Sequence, residues 1–392
     1  MLAEMLRQTP QLLHLRAEVN PFFVLSGLSH PESATDSDAL DARSAAGASA
    51  EALDRLLARD VGVVCDDAPA LERFFDEVAV RLRLQWPEEV FDRDRVASLA
   101  RQIAAEVDPR TDVSRFHVRL LEALRPGHPA LNAWFYDIAD DVVAREAPEL
   151  ARPLGAPGTL LVEEPPFVTI RPWRLAALED LQNRPLIVKT PSNAYRLEFL
   201  RAFFPNARFR VLHLLRSAPA AVNGLVDGWR YRGFHAHRLE RRLEIAGYAE
   251  ALDDEAARWW KYDLPPGWRA HTSEPLIDVC AFQWRSAHDA VLRFLDAHRD
   301  VDRLRLRFDE LVGSPTVRES CLRRLCEWLG ITLDAGLRRV LDEGLPPVMA
   351  TSPPRQRLWF ERADMLERVL RQPQVRETME RLGYGEDPQT WP

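Results

Sequence analysis

Two short apolar runs alternate with two helical stretches between residues 186 and 230, and this succession constrains the fold more than any other feature of the chain. Leu186-Ile187-Val188 is a continuous apolar run of the kind found in strands buried on both faces. Thr190-Pro191-Ser192-Asn193 closes it. A helix is predicted over 194–204, with Tyr195, Phe199 and Phe203 on one face. Phe204-Pro205-Asn206 ends that helix, and Phe209 to Leu215 forms the next strand. Arg216-Ser217 then opens another helix, with Pro219 in its first turn, where the missing N–H has no partner to lose. Strand, helix, strand, helix in this order is a right-handed βαβ unit with parallel strands. Lys189 and Arg216 are therefore expected at carboxyl ends of neighbouring strands, beside helix N-termini. Ligands of open α/β sheets bind in that crevice, and free N–H groups there favour anions.

The flanking segments fit one α/β unit spanning 1–392. Residues 1–19 read as a short helix, and Phe22-Phe23-Val24-Leu25, closed by Ser26-Gly27, as a buried first strand. Residues 32–55 read as loop and then helix. Helical spacing, with breaks at Pro87, Pro109 and Pro126-Gly127, dominates the next stretch, so 65–155 is expected to be a helical insertion covering one face of the sheet. Thr159 to Val162 reads as a strand. Leu304 to Phe308 alternates with period two and reads as another, followed by an amphipathic helix over 322–329 that Gly330 closes. Trp259 to Trp268, rich in tryptophan and proline, reads as a loop that acts either as a lid or as packing against the insertion.

Composition removes several classes. The 392 residues are 46% hydrophobic and 29% charged, enough for a large core and too apolar for wholesale disorder. No apolar run approaches a membrane span, and no secretory signal is expected at the N-terminus. Cys65, Cys280, Cys321 and Cys326 lack metal-site spacing and read as buried thiols of a cytoplasmic protein; no metal is expected. The net charge of -8 argues against nucleic-acid binding. Charge type says more. Of 52 basic residues only Lys189 and Lys261 are lysine, so each marks a place where a compact ammonium does what a guanidinium does not.

Three segments carry a resemblance. The first is Leu186 to Asn193, a strand followed by Lys-Thr-Pro; the second is Phe204-Pro205-Asn206-Ala207-Arg208 with His213-Leu214-Leu215-Arg216. The third is Phe308-Asp309-Glu310-Leu311 with Pro315 and Leu329-Gly330. In this order, over about residues 184–331, they resemble the bacterial sulfotransferases that use 3'-phosphoadenosine-5'-phosphosulfate (PAPS). The resemblance implies a P-loop-type central parallel sheet flanked by helices, with PAPS as co-substrate and PAP as product. Lys189 would meet the leaving phosphate, and Arg216 would hold the 3'-phosphate. The family's phosphate loop after its first strand is matched to Gly27–Ala34, where His30 replaces the usual Arg, Ser33 keeps a hydroxyl and Glu32 is acidic. Asn223 stands beside Gly224, where the family has a Ser that also serves the 3'-phosphate. Arg355 and Arg357, in Pro353 to Trp359, resemble the basic loop that closes over the nucleotide.

The chemistry asks for a base as well as cations, since sulfuryl transfer is an in-line displacement dominated by positioning and charge. His235 and His237 are the candidate bases, because imidazole titrates near working pH. Glu163 and Glu164 compete for that role, whereas His213, inside a strand, reads as a core residue. The expected acceptor is a hydroxyl or amine of a small molecule: a specialised metabolite, lipid or sugar. Oligomeric state is not legible. A kinase or NTPase is excluded because neither lysine lies in Gly-x-x-x-x-Gly-Lys-Ser/Thr. The alternative is a degenerate sulfotransferase fold that binds a ligand or partner without turnover.

Overall fold

Aspartate or serine side chains cap five of the described α-helices, accepting backbone N–H groups in their first turns. The computed structural model describes residues 2–16, 18–33, 35–65, 67–86, 89–129, 131, 138, 140–149, 170–231, 236–251, 254–344 and 358–385. The N-terminal part runs α1 (Leu2–Leu6), β1 (Leu13–His14), α2 (Asn20–Leu25), α3 (Ala48–Ala58) and β2 (Gly62–Val64). Four helices follow: α4 (Ala68–Gln85), α5 (Arg93–Ala104), α6 (Val113–Leu124) and α7 (Asp140–Glu146). Asp67, Asp92 and Asp112 cap the first three of these, each accepting a backbone N–H at 2.8–3.1 Å. Next come β3 (Trp173–Leu175), α8 (Leu178–Asn183), β4 (Leu186–Ile187), a 3₁₀ turn over Pro191–Tyr195, α9 (Leu197–Phe203), β5 (Arg210–Leu215) and α10 (Ala218–Arg230). The remainder holds β6 (His237–Arg238), β7 (Trp259–Trp260), α11 (Leu276–Ala297), β8 (Asp302–Arg307), α12 (Phe308–Val312) and α13 (Pro315–Leu329). It closes with α14 (Ala335–Glu343), α15 (Ala363–Leu370) and α16 (Pro373–Arg381).

The chain is a mixed α/β protein, and among the described residues its strands fall into separate sheets rather than the single central parallel sheet that was expected. One sheet has the order β3-β2-β1-β4, in which β1 pairs parallel with β4 and the other pairs are antiparallel. A second consists of β5 and β8, parallel from Arg210 opposite Asp302 to Leu215 opposite Arg307. β6 and β7 form a small antiparallel ribbon. The expected pairing of the 186 strand with the 210 strand is thus absent from both sheets. Pro185 precedes β4 and Pro191 opens the turn after it, so the ladder ends after two residues.

The N-terminal reading needs correction. Phe22 to Leu25 belongs to α2, not to a strand, because Pro21 in the first turn presets helical φ and removes a strand donor. The first strand is Leu13–His14, within the stretch read as a helix over 1–19. The strands expected over 209–215 and 304–308 run Arg210–Leu215 and Asp302–Arg307, the helix expected late in 32–55 runs Ala48–Ala58, and the one expected over 322–329 begins earlier, at Pro315; Gly330 closes α13 with a left-handed φ of 75°.

One core joins β1, β2, α2 and α9 to α4–α6, with Phe23, Phe74, Phe116 and Phe199 fully buried. A second joins α10, α11, α15 and α16. Trp260, Leu264 and Trp268 lie inside this second core, and Trp229 meets Trp260 edge-to-face at 5.2 Å. The aromatic stretch is therefore packing, not a lid. The predicted strand over 159–162 lies outside the described residues. Among the described residues no helix is long and apolar enough to cross a membrane.

Candidate functional site

Lys189 follows β4 by two residues, and what faces it is decided by β1. Leu13 and His14 register with Leu186 and Ile187, and the Val19 N–H donates to the Lys189 carbonyl at 3.2 Å. The residues Glu18 to Asn20, shortly after the first strand, therefore run alongside Lys189. Glu18 from that segment forms a close ion pair with the ammonium. The lysine side chain is 50% exposed and the glutamate 24%.

A fully buried polar network pins this corner. Asp38 accepts from Ser192 Oγ at 2.6 Å, from the Leu264 N–H at 2.8 Å and from Arg196 Nη2 at 3.1 Å. Arg196 also donates to Asn20 Oδ1 at 2.8 Å, tying the turn beyond Lys189 to the start of α2. Burial opposes ionisation of Asp38, but His237, Arg196 and the donated hydrogen bonds outweigh it and hold the carboxyl below its usual range. Nearby, Tyr195 donates to Asp263 Oδ2 at 2.7 Å. Burial raises the Asp263 carboxyl to about 7, and the Asp38 charge adds to that shift while the tyrosine opposes it. Of the two carboxyls, Asp38 is the one that carries charge.

His237 belongs to this network, with Nε2 at 3.7 Å from Asp38 Oδ2. Burial pushes its imidazole down, Arg196 and His30 push it further, and Asp38 only partly opposes them. Its basicity and its access to an acceptor are both reduced. His30 is half-buried and sits edge-to-face on Trp268 at 6.2 Å. Ser33 Oγ donates to the Thr35 carbonyl at 3.1 Å, within a local turn. Neither stands in a phosphate loop after the first strand. Gly27, with φ of 72°, terminates α2, so the segment from Gly27 to Ser33 leaves from a helix C-terminus, the end whose dipole disfavours anions.

A different arrangement surrounds Arg216. β5 and β8 end in register at Leu215 and Arg307, which sets Arg216 beside Phe308 with the guanidinium 5.0 Å from the ring centre. A Cβ built on Gly224 would lie 3.4 Å from Arg216 Nη1, so the guanidinium runs along the first turns of α10. Ser217 is the N-cap of α10 and makes no capping hydrogen bond. Its Oγ, the Tyr384 hydroxyl and Asp309 Oδ1 are all buried without a hydrogen-bond partner. Arg216 itself is exposed at this rim; desolvation by the groups packed around it lowers its pKa, with Tyr384 and Asp309 opposing the shift. Desolvation also raises Asp309 toward its neutral form, against the nearby arginines. Buried polar groups without partners are costly. Here they cluster around a cation at the start of a 13-residue helix, which suits a phosphate group that would take hydrogen bonds from both hydroxyls.

Asn223 is already engaged: Oδ1 accepts from Arg362 Nη1 at 2.9 Å, and Arg362 Nη2 reaches Asp227 at 2.5 Å. Only its amide donor is left for a ligand-binding role. Glu18, Ser217, Tyr384 and Arg362 were missed by the sequence reading; for Tyr384 and Arg362 the sequence carries no local signal. Lys261 is buried, and its ammonium donates to the Tyr231 carbonyl at the C-terminal end of α10, where a cation meets the helix dipole favourably. His213 is buried and hydrogen-bonds His288 across 2.9 Å, as a core residue should. His235, Arg355, Arg357, Glu163 and Glu164 lie outside the described residues. Among the described residues no group of three or more His, Cys, Asp or Glu is arranged to hold a metal ion.

The chain is similar to a solved sulfotransferase domain from the curacin biosynthetic pathway, at 14% identity and a TM-score of 0.31. The match covers 53% of this chain and 66% of that domain. No family model matches the chain, and no curated protein matches it.

Proposed function

We propose that the protein is a sulfotransferase that moves a sulfuryl group from PAPS to a hydroxyl or amine of a small acceptor. The observation that carries this reading is the Arg216 edge, where a guanidinium and two buried hydroxyls without partners gather at the N-terminus of α10. In this reading Arg216, Ser217 and Tyr384 hold the 3'-phosphate of the nucleotide. Lys189 meets the bridging oxygen between phosphorus and sulfur. The acceptor oxygen or nitrogen attacks sulfur, the sulfur–oxygen bond to the 5'-phosphate breaks, and PAP leaves with its charge held by cations. The acceptor's proton goes to a base, for which His235, Glu163 and Glu164 stand ahead of His237, whose burial lowers its basicity.

One observation favours a second reading, binding without turnover. Glu18, in the segment that follows β1, already pairs with Lys189. Incubation with labelled PAPS and a cell extract, followed by mass spectrometry for sulfated products, separates the two. Native protein is expected to sulfate a product, and Lys189→Ala to abolish it with circular dichroism unchanged. PAP binding without any sulfated product selects the second reading.

A further inference from the structure

Glu18 gains its importance from the strand pairing alone. We propose that it is a resident counter-ion that selects which anions reach Lys189, admitting polyanions and refusing monoanions. This deepens the function proposed above and relies on it for the identity of the polyanion.

The position of Glu18 is fixed on both sides. Two residues earlier, Arg16 is held by Asp60 at 2.8 Å and Glu77 at 3.1 Å. Two residues later, Asn20 is held by Arg196. On the facing segment the Lys189 carbonyl is bonded to Val19, and Ser192 is tied to Asp38. The carboxylate is thus presented to the ammonium at a high effective concentration, as any tethered ligand is. A free monoanion would exchange one single negative charge for another and lose the tether. A dianion or trianion retains net attraction after displacing Glu18. Both side chains are partly exposed, which keeps the pair weak enough to be displaced.

The scarcity of lysine supplies the measurement. Lys261 is buried with its ammonium on a carbonyl, so acylation by a small neutral N-hydroxysuccinimide ester, followed by peptide mass spectrometry, reads Lys189. Protection by nitrate, sulfate and pyrophosphate is compared at constant ionic strength and pH in native protein and Glu18→Gln. In native protein sulfate and pyrophosphate should slow acylation and nitrate should not. Glu18→Gln should acylate several-fold faster and gain protection by nitrate, with sulfate protecting at about tenfold lower concentration. Equal acylation rates in the two proteins, or nitrate that protects both alike, would overturn the proposal. PAP in the same assay keeps the two inferences apart. Protection by pyrophosphate with none by PAP would support the counter-ion and count against the proposed function alone.

Discussion

Tyr384 and Asp263 show how single buried groups hold a site in readiness or set its pH range. The Tyr384 hydroxyl is buried without a partner, so it costs the ligand-free protein stability. Replacing it with phenylalanine is expected to raise stability to chemical denaturation by about 1 kcal/mol and to weaken PAP binding several-fold. A Tyr384→Phe variant that loses stability would mean that the hydroxyl is satisfied. Asp263 has a folded-state pKa raised from 3.8 to about 7, so the folded chain holds a proton that the unfolded chain releases. That contribution is complete below about pH 4 and is lost as pH rises through 7. In urea titrations Asp263→Asn should therefore gain on native protein as pH rises from 4 to 7, by up to about 1.4 kcal/mol per pH unit. A difference that stays flat over that range would show Asp263 to be charged in the fold. Lys189 and Arg216 were legible as strand-end cations because the apolar runs before them are unambiguous. Glu18 was not, because its meaning depends on a parallel pairing between segments 171 residues apart.

Helix α10 carries both its glycines, Gly224 and Gly228, one turn apart on a single face, and each admits a close neighbour. A Cβ on Gly228 would stand 1.4 Å from the Tyr262 hydroxyl oxygen. Alanine favours a helix interior over glycine by up to about 1 kcal/mol. Gly228→Ala is nonetheless expected to destabilise by about 1–3 kcal/mol through overpacking, read as a lower urea midpoint. A higher midpoint would mean that Tyr262 moves aside freely. Helices like this one were readable from the sequence through apolar spacing, a proline in the first turn and the terminal Gly330. The exchange of strand and helix near the N-terminus has a definite origin. A two-residue strand such as β1 has no periodicity to read, whereas four consecutive apolar residues in α2 imitate a buried strand; Pro21 was the signal that discriminates. The Trp259–Trp268 stretch misled similarly, since aromatic residues among prolines read as a surface loop when no neighbouring helix is yet in view.

At the level of the whole molecule, the α/β character was legible and the division of strands into two sheets was not. Sheet membership depends on which edges meet, and no local pattern encodes that. The division matters for function. Lys189 ends a strand of one sheet with Glu18 as its neighbour, while Arg216 ends a strand of the other among Phe308, Asp309 and Tyr384. The proposed function requires one nucleotide, with phosphates at both ends of its ribose, to reach both cationic corners. Calorimetric titration with PAP tests this most directly. Native protein should bind PAP saturably with one site per chain, and Arg216→Ala should weaken that binding about tenfold or more while leaving the fold intact. Native protein that takes up no PAP, or an Arg216→Ala variant that binds it equally well, would contradict the placement of phosphate at this edge.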